Sequence, residues 1–183
     1  MSERDTVKRL LRTDPWRMHV LEMLRSLDLP DVWIVAGFLR CRVWDVLHDH
    51  NTATPPTDID VVFFDPSRPS EEDRDIEAAL SELDPDCPWE VYNQAHMHAF
   101  NGDAPYTSTV DAFSRWAESV STIGVRLGPH GRLELAAPHG LEDLVQMRIR
   151  PTPHPDANRQ IFFERLCTKG WLVRWPRARL AIA

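Results

Sequence analysis

The chain has 183 residues, with 21 Lys plus Arg against 28 Asp plus Glu, a net charge of −7, and hydrophobic residues at 43%. Those figures suit one globular domain with a real core and exclude disorder as the dominant state. The longest near-continuous apolar run, Val32 to Leu39, is far short of the ~18 residues of a membrane span, and the charged start MSERDTVKRLLR lacks the apolar centre of a secretory signal. Three widely spaced cysteines (Cys41, Cys87, Cys167) with no CxxC point to a reduced, cytoplasmic protein. Seven Trp are many for this length and are expected mainly in the core or in a pocket, while 15 Pro against 7 Gly predict stiff connections.

Residues 3–28 carry apolar positions at helical spacing (Val7, Leu10, Leu11, then Val20, Leu21, Leu24), broken at Thr13-Asp14-Pro15. Asp14 is expected as N-cap and Pro15 as first helical residue of a second helix, which Pro30 ends. Trp33 to Ala36 reads as a short buried strand, and Phe38 to His50, after Gly37, as a helix. Residues 51–57 form a polar loop. Asp58 to Phe64 favours β structure. Residues 70–83 predict an acidic amphipathic helix capped by Ser70. Trp89 to Phe100 alternates as one long strand would. A helix is expected over Thr109 to Ser119, and a hairpin over Thr122 to Leu127 and Leu133 to Ala136, turning at Pro129-His130-Gly131. Helices follow over Gly140 to Met147 and Asp156 to Lys169, and Trp171 to Ala183 has no clear pattern. The mixture predicts an α+β fold, a small mixed sheet with flanking helices. It is expected as one domain over 1–183, with N-terminal helices at 1–29 and a basic C-terminal helical extension at 148–183.

The chemistry concentrates at Gly37 and Asp58-Ile59-Asp60. Residues two apart on a strand share a face, so Asp58 and Asp60 stand side by side while Ile59 turns to the core. Like charges at that distance repel, and a hard divalent cation such as Mg²⁺ removes the conflict. A helix beginning at Gly37 offers unpaired backbone N–H groups, and glycine lets a phosphate approach closely. The turn and the acid pair in this order are suited to a metal-bound triphosphate.

The words WIVAGFLRCRVWDVLHDH (33–50), TDIDVVFFD (57–65), PWEVYNQAHMH (88–98), AAPHGLEDLVQMRIRP (136–151) and RLCTKGW with WP (165–176) resemble the small bacterial nucleotidyltransferase family of the DNA polymerase β superfamily. The resemblance implies a polymerase-β-like fold and transfer of a nucleotidyl group from an NTP with Mg²⁺, two ions in all. It implies metal-holding catalytic acids at Asp58 and Asp60, with a third carboxylate from a neighbouring strand. Glu90 is the candidate for that third acid, orienting the attacking hydroxyl or taking its proton. Asp65 lies seven residues from Asp58, roughly 23 Å along a strand, and on the opposite face. The superfamily turn places a second small residue after its glycine. This chain has Phe38 there, either narrowing the phosphate pocket or packing into the core while its amide still serves. Arg40, one turn into the helix, either reaches phosphate oxygens or lies on the surface. Asn93 and Gln94, in a matched word, are candidates for binding a base or sugar edge.

Other readings stay open beside this one. If the strand from 89 to 100 is unbroken, Gln94, His96 and His98 share the face of Glu90, and a His-x-His pair invites zinc, although no further ligand stands at a suitable spacing. A catalytically inactive nucleotide- or RNA-binding module is the alternative to the enzyme, favoured by Phe38. Asp-x-Asp also occurs in glycosyltransferases and phosphatases, but the polar loop before Asp58 does not suit a phosphatase strand. His139-Gly140 reads as a helix start. The acceptor is left open among a small molecule, an RNA end and a protein. The charge is local. Residues 65–86 hold nine acids and two bases, and the rest of the chain carries 19 of each sign. From Arg148 onward there are eight bases and two acids, interleaved with Trp171 and Trp175. That basic end either meets an anionic ligand or lies over a helical surface with its tryptophans buried.

Overall fold

The computed structural model describes residues 2–154 and 159–182. Two helices lead, α1 (Glu3–Arg12) and α2 (Pro15–Ser26). Their break is the expected one: Asp14 accepts the Arg17 N–H, and Pro15 opens α2. The central strand β1 (Trp33–Val35) pairs antiparallel with β2 (Ile59–Phe63) on one side and with β4 (Gly124–Leu127) on the other. β2 pairs parallel with β3 (Trp89–Asn93), and β4 forms the predicted antiparallel hairpin with β5 (Leu133–Ala136). The strand order is β3-β2-β1-β4-β5. Parallel neighbours need a crossover, and α4 (Asp73–Leu83) supplies it, burying Ile76 and Leu80.

The period-two pattern of β2 decides which face does what. Ile59, Val61 and Phe63 are buried and join Ile34, Val125 and Val91 in the main core beneath α1, α2, α3 (Gly37–Leu47) and α4. Val62 turns the other way, with Trp33, Val35 and Phe113 of α6 (Thr109–Ser114), in a smaller cluster. Asp60 shares the parity of Val62, so it emerges on this second, partly open face. Five of the seven tryptophans (Trp33, Trp44, Trp89, Trp171, Trp175) are buried, as expected. No described helix is long and apolar enough to cross a membrane.

Four expectations are corrected. The strand from Trp89 stops at Asn93, because the Asn93 side chain accepts the Ala95 N–H and starts α5 (Gln94–Asn101). His96 and His98 therefore stand on a helix, where residues two apart diverge, and each ring meets a backbone carbonyl, of Arg68 and Ala95 respectively. Among the described residues no three His, Cys, Asp or Glu side chains gather into a metal cage. Ser70 caps nothing: residues 70–72 make a 3-10 turn, and α4 begins at Asp73. Helix α6 ends five residues early because Ala117 and Ser119 bond to Thr152 and Arg150, which draws the chain out of the helix.

Toward the carboxyl end, α7 (Glu142–Val145) is shorter than expected and packs against α3. β6 (Arg148–Ile149), α8 (Arg159–Thr168), α9 (Trp171–Arg174) and β7 (Arg179–Leu180) follow. The start expected for α8 at Asp156 lies outside the described residues. β7 returns parallel to β6. The end is anchored at Asp45 of α3, whose Oδ1 accepts from the Trp175 indole at 2.8 Å and the Thr54 hydroxyl at 2.7 Å, while Oδ2 accepts the Thr54 N–H at 2.6 Å. Trp175 also meets Trp44 edge-on, with ring centres 5.2 Å apart.

Candidate active site

Parallel pairing of β2 with β3 sets Asp60 directly beside Glu90 and Val62 beside Tyr92. Asp58 immediately precedes β2. All three carboxylates line one cavity of about 540 Å³, with Gln94, Tyr92, Tyr106, Trp116 and Arg115 on its other walls. Burial first, and then the negative charges of Asp58 and Glu90, push the Asp60 carboxyl up to about 6. Lys169 and Arg40 pull in the other direction, by less.

A second cavity of about 420 Å³ adjoins the first and shares Asp58 and Lys169 with it. Gly37, Arg40, Thr57, Trp171 and Arg174 line it. Here α3 begins. The N–H groups of Leu39 and Arg40 already bond to the Ala36 carbonyl, whereas those of Gly37 and Phe38 head the helix with no intrahelical acceptor. A Cβ on Gly37 would stand 3.9 Å from Asp58 Oδ1, so the turn and the acids are in contact range. Helix start and cavity together form an anion-seeking surface against a cation-seeking one.

Arg40 is no surface residue. It is 7% exposed, donates from Nη1 to the Ser121 hydroxyl at 3.1 Å, and lies 4.6 Å over the Trp171 ring. Its Nε is buried without a partner. A buried unpaired donor carries a cost of about 1–3 kcal/mol. Burial lowers the proton affinity of this guanidinium, and Glu118 and Asp60 raise it.

Phe38 packs away from both cavities. It is fully buried, its ring 5.9 Å from Trp16 with the Arg17 guanidinium 5.5 Å over it, and its carbonyl accepts from Arg17 Nε. Of the two alternatives for this side chain, packing into the core is the one found. In this turn the backbone tension falls on Ala36, at φ 50° and ψ −110°, a region that suits glycine and strains a residue with a Cβ. Nothing in the pattern of the sequence singles it out. Ala36→Gly is expected to raise stability by about 1 kcal/mol, the strain relieved exceeding the added chain entropy. A denaturant melt of both proteins reads this, and a lower midpoint for the variant would contradict it.

Asn93 does a different job from the one expected. Its Nδ2 donates to the carbonyls of Asp65 and Arg68, and its Oδ1 accepts the N–H groups of Asp65 and Ala95. With both ends of the amide engaged, it positions the β3–α5 corner and leaves nothing for a ligand. Gln94 is also buried, but it lines the larger cavity. His139 bonds to the Ser114 carbonyl. Besides Tyr92, Tyr106, Arg115 and Trp116, the residues outside the expected set that join the site include Glu118, Arg165 and Lys169. Glu118 is buried and accepts from Arg165 of α8 at 2.6 Å, which fastens α8 along the cavity. The basic, tryptophan-bearing end of the chain marked the region of Arg165 and Lys169 but not the residues themselves, and nothing in the sequence marked Glu118. Among the described residues, five of the eight bases in that end pair with acids within the chain: Arg148 and Arg150 with Asp143, Arg165 with Glu118, Lys169 with Asp58, and Arg177 with Asp49.

Residues 22–180 match a family profile described as nucleotidyltransferase. The chain belongs to this nucleotidyltransferase family. A solved structure described as revealing a CCA-adding enzyme head domain is 35% identical to this nucleotidyltransferase, with a TM-score of 0.86 over 97% of this chain and 95% of that one. Two structures of a tRNA-processing enzyme also resemble it, each with a TM-score of 0.53. One, described as complex 3, is 15% identical over 88% of this chain and 43% of its own. The other, apo form I, is 16% identical over 90% of this chain and 42% of its own. At that identity the likeness is one of fold. No protein of curated function matches the sequence. The family and the small mixed sheet with flanking helices are thus those that the sequence words implied.

Proposed function

We propose that the protein transfers a nucleotidyl group from a Mg²⁺-bound NTP to an acceptor hydroxyl, with Asp58, Asp60 and Glu90 as the metal-holding acids. The supporting observation is that these carboxylates line one cavity while Gly37 and Arg40 line the adjoining one, with Asp58 common to both. The donor chemistry suits Mg²⁺: three hard oxygen groups line one cavity, not drawn together into a cage, and one of them is held up at about 6 by burial and its neighbours' charge, a conflict that a cation relieves. Bound there, Mg²⁺ would neutralise phosphate charge and make the α-phosphorus more electrophilic.

The chain's own residues do the rest. The Gly37 and Phe38 amides and the Arg40 guanidinium receive the β- and γ-phosphates in the smaller cavity. The nucleoside and the acceptor enter the larger one, where Tyr92 and Trp116 offer faces for stacking and Gln94 offers an amide edge. The acceptor oxygen forms its bond to the α-phosphorus as the bond to the β-phosphate oxygen breaks, and pyrophosphate leaves with that electron pair. Glu90, on the strand beside Asp60, takes the acceptor's proton. The inactive-module alternative rested on Phe38, and the burial of that ring removes its support.

The test is a labelling assay. The purified protein is mixed with each α-labelled NTP, Mg²⁺ and either total RNA or a small-molecule extract. Label carried into one fraction, together with released pyrophosphate, is expected and identifies the acceptor class. NTP binding without Mg²⁺ dependence or product would instead favour the inactive module.

A further inference from the structure

Lys169 stands at the seam between the two cavities and lines both. Its Nζ lies 3.8 Å from Asp58 Oδ2, a long ion pair in which the side chains are 36% and 27% exposed. The backbone under it is held at two points. One helical turn earlier, Arg165 is fastened to the buried Glu118. Two residues later, Trp171 lies under the Arg40 guanidinium. Gly170 between them adopts φ 63°, which lets the chain turn directly from α8 into α9. The ammonium thus rides on a fixed base at the end of a flexible four-carbon stem.

We propose that Lys169 is a charge-exchange residue, pairing with Asp58 until a nucleotide arrives and then passing to its polyphosphate. This rests on the functional reading above. Arg40 cannot make such a move, because Ser121 and Trp171 hold its guanidinium. Lys169 can, because a long, part-exposed pair is weak and a phosphate oxygen in the adjoining cavity is a stronger partner for a point charge. The exchange also frees Asp58 at the moment a metal-bound nucleotide needs it, so a divalent cation without nucleotide competes with the lysine while the nucleotide recruits it. Lys169 is a positioning residue for the phosphates and a guard on the acid.

The two roles predict effects of opposite sign in one variant. Lys169→Met is compared with wild type in two titrations, one with Mn²⁺ alone and one with Mg²⁺ and a non-hydrolysable α,β-methylene NTP. Mn²⁺ is expected to bind about 2–5-fold tighter, since a weak competitor is gone, and the nucleotide about 10-fold weaker. Lys169→Arg, which keeps the charge, is expected to restore both toward wild type. If both ligands weaken in the methionine variant, the residue is merely structural and the proposal falls. It falls as well if neither changes. A thermal melt checks that the variant is folded, and Lys169→Gln is read in the same way if the methionine variant is not. A wild-type protein that binds no nucleotide overturns both this inference and the functional reading. A wild type that binds nucleotide while the variant matches it overturns the exchange alone.

Discussion

Asp58→Asn with Asp60→Asn is expected to lower nucleotidyl transfer by at least about 10³-fold while making the metal-free protein more stable. The loss follows from the proposed role, since metal clamping is worth several kcal/mol of transition-state stabilisation and an amide binds Mg²⁺ far less well than a carboxylate. The gain follows from the charges. Asp60 is pushed up to about 6 by burial, Asp58 and Glu90, against roughly 3.9 in an unfolded chain. A carboxyl raised in the folded state binds more protons there than in the unfolded state, so stability declines as pH rises from about 4 through 6. The amide pair removes that decline, and the free energy of unfolding at pH 8 should rise by roughly 1–3 kcal/mol. Kinetics and melts on the same sample check both. A double variant that transfers nucleotide at the wild-type rate would place the active site elsewhere. One variant that loses activity while gaining stability is a stronger discriminator than activity loss alone, because misfolding lowers both.

Asp45→Ala is expected to destabilise the protein by about 3–5 kcal/mol, the largest effect expected from one substitution. The carboxylate is 3% exposed and accepts from the Trp175 indole, the Thr54 hydroxyl and the Thr54 N–H. Removing it strands those donors and opens a hole between α3 and the carboxyl end. Burial opposes its ionisation, but the Thr54 N–H, the Thr54 hydroxyl and the Trp175 indole outweigh that and hold the carboxyl below the usual range. Its contribution is therefore present in full above the unfolded value, near 3.9, and is lost as pH falls through the lower folded value. Wild type should lose stability steeply below about pH 4, and Asp45→Asn should show a shallower acid limb. Urea melts between pH 3 and 7 give the comparison. Parallel acid limbs would remove Asp45 from the explanation.

How much of this was legible in the sequence varies with the range of the forces involved. The α1–α2 break was readable because Asp14 and Pro15 carry local chemistry that means the same thing in any chain. The β4–β5 hairpin was readable for a similar reason, with β-favouring runs around Pro129-His130-Gly131. The placing of Asp58, Asp60 and Glu90 on one cavity followed from strand parity together with the family words. The Asn93 corner was not readable. Alternation ran through it without interruption, and only the asparagine's four hydrogen bonds to distant and local backbone stop the strand. Helix α9 and strand β7 are too short to display a period. Lys169 and Arg165 reach the site through packing of a segment at least 75 residues from Glu90, so no local pattern could mark them. Arg40 lay in plain view, but its burial depends on Trp171 and Ser121.

The union of Asp45 with Trp175 spans 130 residues of chain. On a growing polypeptide, contacts form in the order their residues emerge, and those with wide sequence separation close last. Asp58, Asp60 and Glu90 are therefore on hand long before the segment that walls them. Until Trp175 docks, the acids and the phosphate turn lie open along one side, without Lys169 beside Asp58 and without Trp171 beneath Arg40. A half-made molecule would present bare carboxylates to any passing cation. The tryptophan that locks onto α3 is also the step that separates a sheet bearing acids from one whose cavities are walled by the carboxyl end.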